Sequence, residues 1–398
     1  MAKKLLILGA SLNQIPAILK AQSLGHLVVT TDNLPQNPGH ALANISYHLD
    51  TTDIPAVLAI AKKEKISGVL APATDVAVVT AATVAAELRL PGPNVLAAKI
   101  LTSKADFRAF AQTHDVPCPD FWTFDQPIFP PNAPKDGRLL IVKPNRSSGA
   151  KGVMVVDGPK TFAEAAPLAL SYSLDGRGVL ETYLLGGQYT VEGVLANGRI
   201  SLSMITIRST APRPYEATWA HRVPCDLNQK TQETVLATLE RIFDLLGYKD
   251  GPFDADFLNH KQDTFILEAT PRIGGNSLST LFAKAFDFDI VGYAVSAALG
   301  EPFVIPPPLT PKPLALVLLG VLTAGSVVWD QNEEAALRRE KWLKDLSWDV
   351  SIGDPVKPFI NGRERLGEAL IAGDGPSNLV QNVLNFGRRL NLRAELVN

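Results

Sequence analysis

With 398 residues the chain exceeds what one hydrophobic core organises, and about two to four lobes are expected. Its composition, 46% hydrophobic and 20% charged, is that of a globular enzyme and excludes disorder. The 38 basic and 40 acidic residues leave no cationic surplus for a nucleic-acid backbone, and the two cysteines, Cys118 and Cys225, lack the spacing of a disulfide framework or a thiolate zinc site.

The first lobe, residues 1–100, opens with Lys3-Lys4-Leu5-Leu6-Ile7-Leu8-Gly9. This imitates a signal peptide, but the apolar run stops before Asn13, Gln14 and Pro16, too early for a secretory core, and is expected to be a strand. Strand 5–8, helix 14–24 closed by Gly25, strand 27–31, helix 55–64 and strand 69–70 follow in an order that predicts a doubly wound parallel sheet. Its first turn, Gly9-Ala10-Ser11-Leu12-Asn13-Gln14, lacks the later glycines of a dinucleotide fingerprint. A scaffold lobe with a few substrate contacts is therefore expected, not an NAD site.

Residues 101–190 form a second lobe, with a helix over 105–111, a proline-rich boundary at 127–134 and glycine-rich strands. A third, 191–305, carries strands 189–195 and 200–208, a helix over 229–246, a hairpin closed within 259–263 and two helices of small residues. Pro306-Pro307-Pro308 is a stiff linker into the last α+β lobe, 306–398. There a strand is expected over 314–322, a charged helix over 333–344, turns over 353–367 and a helix over 379–390. The apolar run 314–322 is about half a membrane span, so no membrane partner is expected. The reduced cysteines suit a cytoplasmic protein.

The acidic chemistry lies in two short segments. In Phe253-Asp254-Ala255-Asp256-Phe257 a period of two puts both aspartates on one face, and it places Glu268 with Thr270 in the segment 265–270. A hairpin centred on residue 262 sets Asp256 opposite Glu268 and Asp254 opposite Thr270. Carboxylates about 5 Å apart across a ladder repel, so either water solvates an acidic edge or a hard cation such as Mg2+ lies between them and shares phosphate oxygens. Arg272, Gly274, Gly275 and Asn276 follow directly and favour the metal, because a guanidinium and close backbone N–H groups both suit phosphate.

Two further segments each allow two readings. Lys143 ends an apolar strand before a loop containing Ser147, Ser148, Gly149 and Gly152, which serves as a polyphosphate cradle or as an ordinary flexible hairpin. It is not a Walker A motif. Glu181, Tyr183, Leu184 and Gln188 lie in a strand-loop-strand hinge that offers hydrogen bonds to an adenine edge, with a solvated acid at Glu181 as the alternative.

Taken in order, four pieces resemble the ATP-grasp carboxylate-amine ligase superfamily over almost the whole chain. They are Ser103-Lys104 at a helix start, Val142-Lys143-Pro144 before the flap, Leu180-Glu181-Thr182-Tyr183-Leu184 with Gly187-Gln188, and Leu267-Glu268-Ala269-Thr270-Pro271-Arg272. The resemblance implies a nucleotide clamped between two α+β lobes behind the doubly wound one. It implies Lys104 and Lys143 on ATP phosphates under a flap of residues 147–152, Glu181 with Tyr183 and Leu184 on adenine, and Gln188 on ribose. Asp256, Glu268 and Thr270 would hold Mg2+ or Mn2+, and Arg272 would meet the transferring phosphoryl group. Gln188 stands where the family usually has glutamate, and Thr270 where it has asparagine.

The implied activity joins a carboxylic acid to an amine through an acyl phosphate, releasing ADP and phosphate. Similarity to L-amino-acid ligases points to an amino acid or small acid as substrate, with Arg208, Glu216, His221, Gly274, Gly275 and Asn276 as candidate contacts, although any of these also suits a surface loop. The alternatives are an ATP-grasp carboxylase or purine-pathway ligase and, from another class, a regulatory protein that binds nucleotide without turnover. Homodimer formation stays open.

Overall fold

The computed structural model describes residues 2–261, 263–307 and 309–395; Gln262 and Pro308, on which the hairpin centre and part of the linker fall, lie outside the described residues. The first lobe is a parallel sheet of β1 (Lys4–Leu8), β2 (Leu27–Asp32), β3 (Ile45–His48) and β4 (Gly68–Leu70) in the order β3-β2-β1-β4. Crossover helices Ile15–Ser23 and Ile54–Glu64 match the expected segments. Leu5 to Leu8 are wholly buried, as a central parallel strand covered on both faces requires.

A second, small sheet joins β5 (Phe121–Phe124), β6 (Leu140–Pro144), β7 (Met154–Val156) and β8 (Gly178–Thr182) in the antiparallel order β5-β8-β6-β7. Helix Pro159–Tyr172, not expected from the sequence, packs on it, and Phe124, Leu140, Val142, Phe162 and Leu180 form a core separate from the others.

The third sheet is antiparallel and eight-stranded. It contains β9 (Gly187–Ala196), β10 (Arg199–Thr210), β11 (Thr218–Val223), β12 (Gly251–His260), β13 (Asp263–Thr270) and β14 (Leu314–Leu319). The last lobe adds β15 (Gly325–Val328), β16 (Leu343–Trp348), β17 (Pro355–Val356), β18 (Gly367–Ala372) and β19 (Arg393–Glu395). The order β13-β12-β9-β10-β11-β14-β18-β16 carries the sheet straight from the third lobe into the last. One core joins Leu5, Ile7 and Ile18 of the first lobe to Met204, Phe282, Leu316 and Leu370. On the opposite face, helices Val95–Leu101, Lys104–Thr113 and Gln229–Leu245 cover Val191, Ile205 and Phe253.

The charged helix expected over 333–344 ends earlier, at Gln331–Leu337, and residues 343–348 are β16. A register shift between Leu343 and Asp345 lets Leu343 and Leu346 both turn inward. That three-residue spacing imitates a helical face. Among the described residues, no helix is long and apolar enough to cross a membrane.

The isolated core of the small sheet makes its stability local. Phe162→Ala should cost about 3–5 kcal/mol there, by analogy with other buried Phe truncations. Hydrogen exchange should quicken in β6 and β8 while β1 and β2 keep their protection; uniform loss across all sheets would contradict a separate core.

Candidate active site

One face of the eight-stranded sheet is divided along its strands. At one end Val194, Met204 and Val223 pack under helices Leu278–Phe286 and Ile290–Ala298. At the other, the same alternation presents Thr190, Arg208, His221, Asp254, Asp256 and Glu268 to a cavity of about 340 Å³, roofed by Lys143, Glu181 and the loop 147–151 of the small sheet.

The hairpin has the expected pairs, Asp256 opposite Glu268 and Asp254 opposite Thr270. Continuing the register from His260–Asp263 to Phe257–Ile266 would have set Asp256 against Leu267. A bulge at Leu267 corrects this by one residue and aims Glu268 into the cavity. Glu268 lies 3.2 Å from Lys104, the first residue of a helix whose N-cap is Ser103. Asp256 pairs with Arg208 and accepts from the Thr190 hydroxyl at 2.5 Å. Asp254 pairs with Arg272, which also donates to Asp75 of the first lobe at 2.8 Å.

Like charges crowded on neighbouring strands disturb one another. Lys104 holds Glu268 down at about 2, whereas burial pushes Asp256 up against the pull of Arg208 and lifts Asp254 to about 7 in spite of Arg272. Asp254 Oδ1 is buried without a partner. Such an oxygen-rich, incompletely neutralised cluster fits a hard divalent cation. Among the described residues no three acidic, His or Cys side chains converge closely enough to hold an ion unaided, so phosphate and water would complete its shell. The Thr270 hydroxyl donates to the Asp254 carbonyl at 3.3 Å and faces a smaller cleft beside Lys104 and Ser147.

The roof is built from a buried charge triad. Glu181 has one oxygen 2.6 Å from Lys143 and the other 3.0 Å from Arg108, and all three are nearly or wholly buried. Burial opposes the Glu181 charge, but Arg108 and Lys143 hold its carboxyl down at about 2. Burial also lowers the Lys143 ammonium, helped by Arg108. The Arg108 contact is a close approach of charges without hydrogen-bond alignment.

Ser147 Oγ lines the cavity and is buried without a protein partner, which suits a phosphate oxygen. Ser148 and Gly149 line it as well, whereas Gly152, at φ +71°, packs against the helix below, where a Cβ would lie 3.1 Å from Ala169 Cα. At the hinge, Tyr183 and Gln188 donate to the two Glu216 oxygens, each at 2.7 Å, and Gln188 Oε1 accepts from Arg208 at 2.5 Å. Leu184 lies on the cavity wall beside them. His221 meets the Thr206 hydroxyl at 2.9 Å; burial, aided by Arg208, pushes it down to about 3 and keeps it neutral. Gly275 and Asn276 reach the cavity, while the Gly274 N–H points away and donates to Glu192 at 2.8 Å. Glu192 is wholly buried, and burial together with Asp254 pushes it up to about 8.

Sequence reasoning missed Asp75, Arg108, Asn145 and Arg363. Asp75 had a signal, because it follows the carboxyl end of β4, where open parallel sheets build sites. Asn145 bolts the small sheet to the helix carrying Lys104, its Oδ1 accepting from the Ala105 N–H at 2.8 Å and its Nδ2 donating to Asp175 at 2.6 Å. Arg108 and Arg363 had none, since their neighbours in space are remote in sequence.

Residues 138–280 match the ATP-grasp domain family. Over 329 residues the chain is 27% identical to formate-dependent phosphoribosylglycinamide formyltransferase of Burkholderia lata, covering 76% of this chain and 78% of that protein. Its fold is similar to that of L-amino acid ligase from Bacillus licheniformis, with a TM-score of 0.79 at 19% identity and coverage of 100% and 99%. It is also similar to N5-carboxyaminoimidazole synthetase from Staphylococcus aureus complexed with ADP, with a TM-score of 0.73 at 15% identity and coverage of 98% and 97%.

The triad yields a stability test. Arg108→Met leaves Glu181 with one cation and should destabilise the protein at pH 7 by about 3–5 kcal/mol, as broken buried pairs do. Because the folded Glu181 carboxyl sits near 2, below its ordinary 4.5, its contribution is complete above 4.5 and is lost as pH falls toward 2. The gap between wild type and variant in urea unfolding should therefore narrow over that window; a gap independent of pH would count against the assignment.

Proposed function

We propose that this chain, which carries an ATP-grasp domain over residues 138–280, is an ATP-dependent ligase that phosphorylates a carboxylic acid and joins the acyl phosphate to an amine, releasing ADP and phosphate. The observation that carries this is the meeting of Lys104, Lys143, Arg272, Asp256 and Glu268 around one cavity. A carboxylate attacking a terminal phosphate must approach a group of its own sign, so cations fixed around the path do most of the work.

The residues divide the task by position. The hinge at Glu181, Tyr183 and Leu184 takes the adenine, Gln188 the ribose, and Lys104, Lys143 and the loop containing Ser147, Ser148 and Gly149 take the phosphates. Asp256 and Glu268 would hold Mg2+ or Mn2+, which would supply Lewis-acid neutralisation of the phosphate charge. Thr270 keeps the Asp254 strand in register beside them. Arg272, locked by Asp75 and Asp254, faces the transferring phosphoryl group. The acid's oxygen bonds to the terminal phosphorus as the bond to ADP breaks; the amine nitrogen then bonds to the acyl carbon, loses a proton and expels phosphate. The loop 147–152 keeps water from the acyl phosphate.

The substrates would be a small acid, an amino acid among them, and an amine, with Arg208, His221, Gly275 and Asn276 on the cavity wall beside them. A cytoplasmic location suits such a metabolic ligase. A purine-pathway acceptor is the second reading, favoured by the 27% identity to the formyltransferase. Hydroxylamine trapping of the acyl phosphate across a panel of amino acids, formate and bicarbonate separates the two.

Two variants test the core of this assignment. Glu268→Gln should abolish ADP formation with circular dichroism unchanged, and near-normal turnover would remove the carboxylate pair from the mechanism. Arg272→Ala should lower kcat by 10²-fold or more, on the order of one lost transition-state donor, with a much smaller change in nucleotide affinity. Equal losses in both would mean that Arg272 only holds the ground state.

A further inference from the structure

At the end of the cavity away from the hinge, three parts of the chain meet: the flap, the turns that follow β1 and β4, and the loop after β17. The flap and the loop are joined through their backbones, the Gly362 N–H donating to the Gly149 carbonyl at 3.0 Å. Gly149 has a φ of +70°, and the Asn361 side chain caps the Arg363 N–H at 2.9 Å. Lys151 and Arg363 consequently both line the same stretch of wall, with Asn13 and Asn276 beside them.

These two cations differ from the others in the cavity. Lys104 has Glu268, Lys143 has Glu181, Arg208 has Asp256, and Arg272 has Asp75 and Asp254. Among the described residues neither the Lys151 ammonium nor the Arg363 guanidinium has an ion pair or a side-chain hydrogen bond, although Lys151 is half-buried and both line the cavity. The loop does not lack acids, since Arg365 lies 2.9 Å from Asp349 and 2.8 Å from Glu368. Burial, and next the nearby Arg363, push the Lys151 ammonium below its ordinary value, and the weaker pull of Asp75 does not restore it. A partly desolvated ammonium beside a second, unpaired cation is unfavourable alone and favourable around an anion.

We propose that Lys151 and Arg363 form an anion site that holds a carboxylate or phosphate group of the organic substrate, apart from the groups that hold the nucleotide. Resting on the ligase reading above, this narrows the substrate class: one reactant carries a negative group in addition to the centre that reacts. It also makes that reactant a tie between flap and last lobe, so its binding favours the closed flap.

The test uses the full chain, alone and saturated with a non-hydrolysable ATP analogue and Mg2+, titrated with succinate or inorganic phosphate by calorimetry. At least one anion should bind to the nucleotide-saturated protein, and Arg363→Glu should weaken it tenfold or more with nucleotide affinity changed less than twofold. Lys151→Met should weaken the same anion. Preference for succinate assigns the site to a carboxylate, and preference for phosphate to a phosphorylated reactant. Equal anion affinity in wild type and Arg363→Glu, or no anion binding in either nucleotide state, overturns the site. Failure to bind the ATP analogue instead undoes the ligase reading, and the nucleotide-free titrations still decide the anion site.

Discussion

Three carboxylates held on neighbouring strands, at Asp254, Asp256 and Glu268, set the charge problem that the rest of the molecule answers. A sheet cannot move them apart, because the period of two and the bulge at Leu267 fix all three toward one cavity. Each answer comes from a different element: Lys104 from a helix start, Arg208 from β10, and Arg272 from the turn after β13. Arg272 in turn draws Asp75 from the first lobe. A local excess of negative charge thus becomes long-range wiring between lobes, and it leaves cations held around the cavity.

Packing divides the chain differently from the sequence. The first lobe, the eight-stranded sheet and the last lobe share cores, whereas the small sheet has its own. It is attached to the rest through the buried Asn145, the contact of Arg108 with the Lys143–Glu181 pair, the Val155 N–H donating to the Pro214 carbonyl at 2.9 Å and the Gly362 N–H donating to the Gly149 carbonyl at 3.0 Å. A body with its own core and narrow attachments can rotate without breaking a core, which is what a clamp over a ligand requires.

The sequence made most of the site legible because its chemistry lies in short strands. Alternation over 253–257 and 265–270 placed the acids correctly, and the pairing of Asp256 with Glu268 was right even though the bulge that produces it was not foreseen. Legibility fails where spacing imitates another structure or where a partner is remote. Leu343 and Leu346 imitate a helix through a bulge. Pro159 and Pro167 hide the helix Pro159–Tyr172, whose first turn tolerates one proline and whose interior contains the other. Arg108 and Glu181 are remote from each other in sequence, and nothing local to either marks the pair.

Gln188 and Thr270, the two positions that differ from the pattern the sequence resembles, look different once their neighbours are known. A carboxylate at position 188 would stand against Glu216, which already receives the Tyr183 hydroxyl, and two acids at hydrogen-bond distance would repel. An amide avoids this, because its nitrogen donates to Glu216 while its oxygen accepts from Arg208. Arg208 is the partner of Asp256, so the hinge and the acidic cluster are linked through the Gln188 amide, which donates on one side and accepts on the other. Gln188 is therefore matched to Glu216 rather than eroded. Thr270 is likewise engaged, its short hydroxyl reaching the Asp254 carbonyl across the ladder. Both side chains are thus fixed by the residues around them, and replacing either would leave a buried polar partner unmatched.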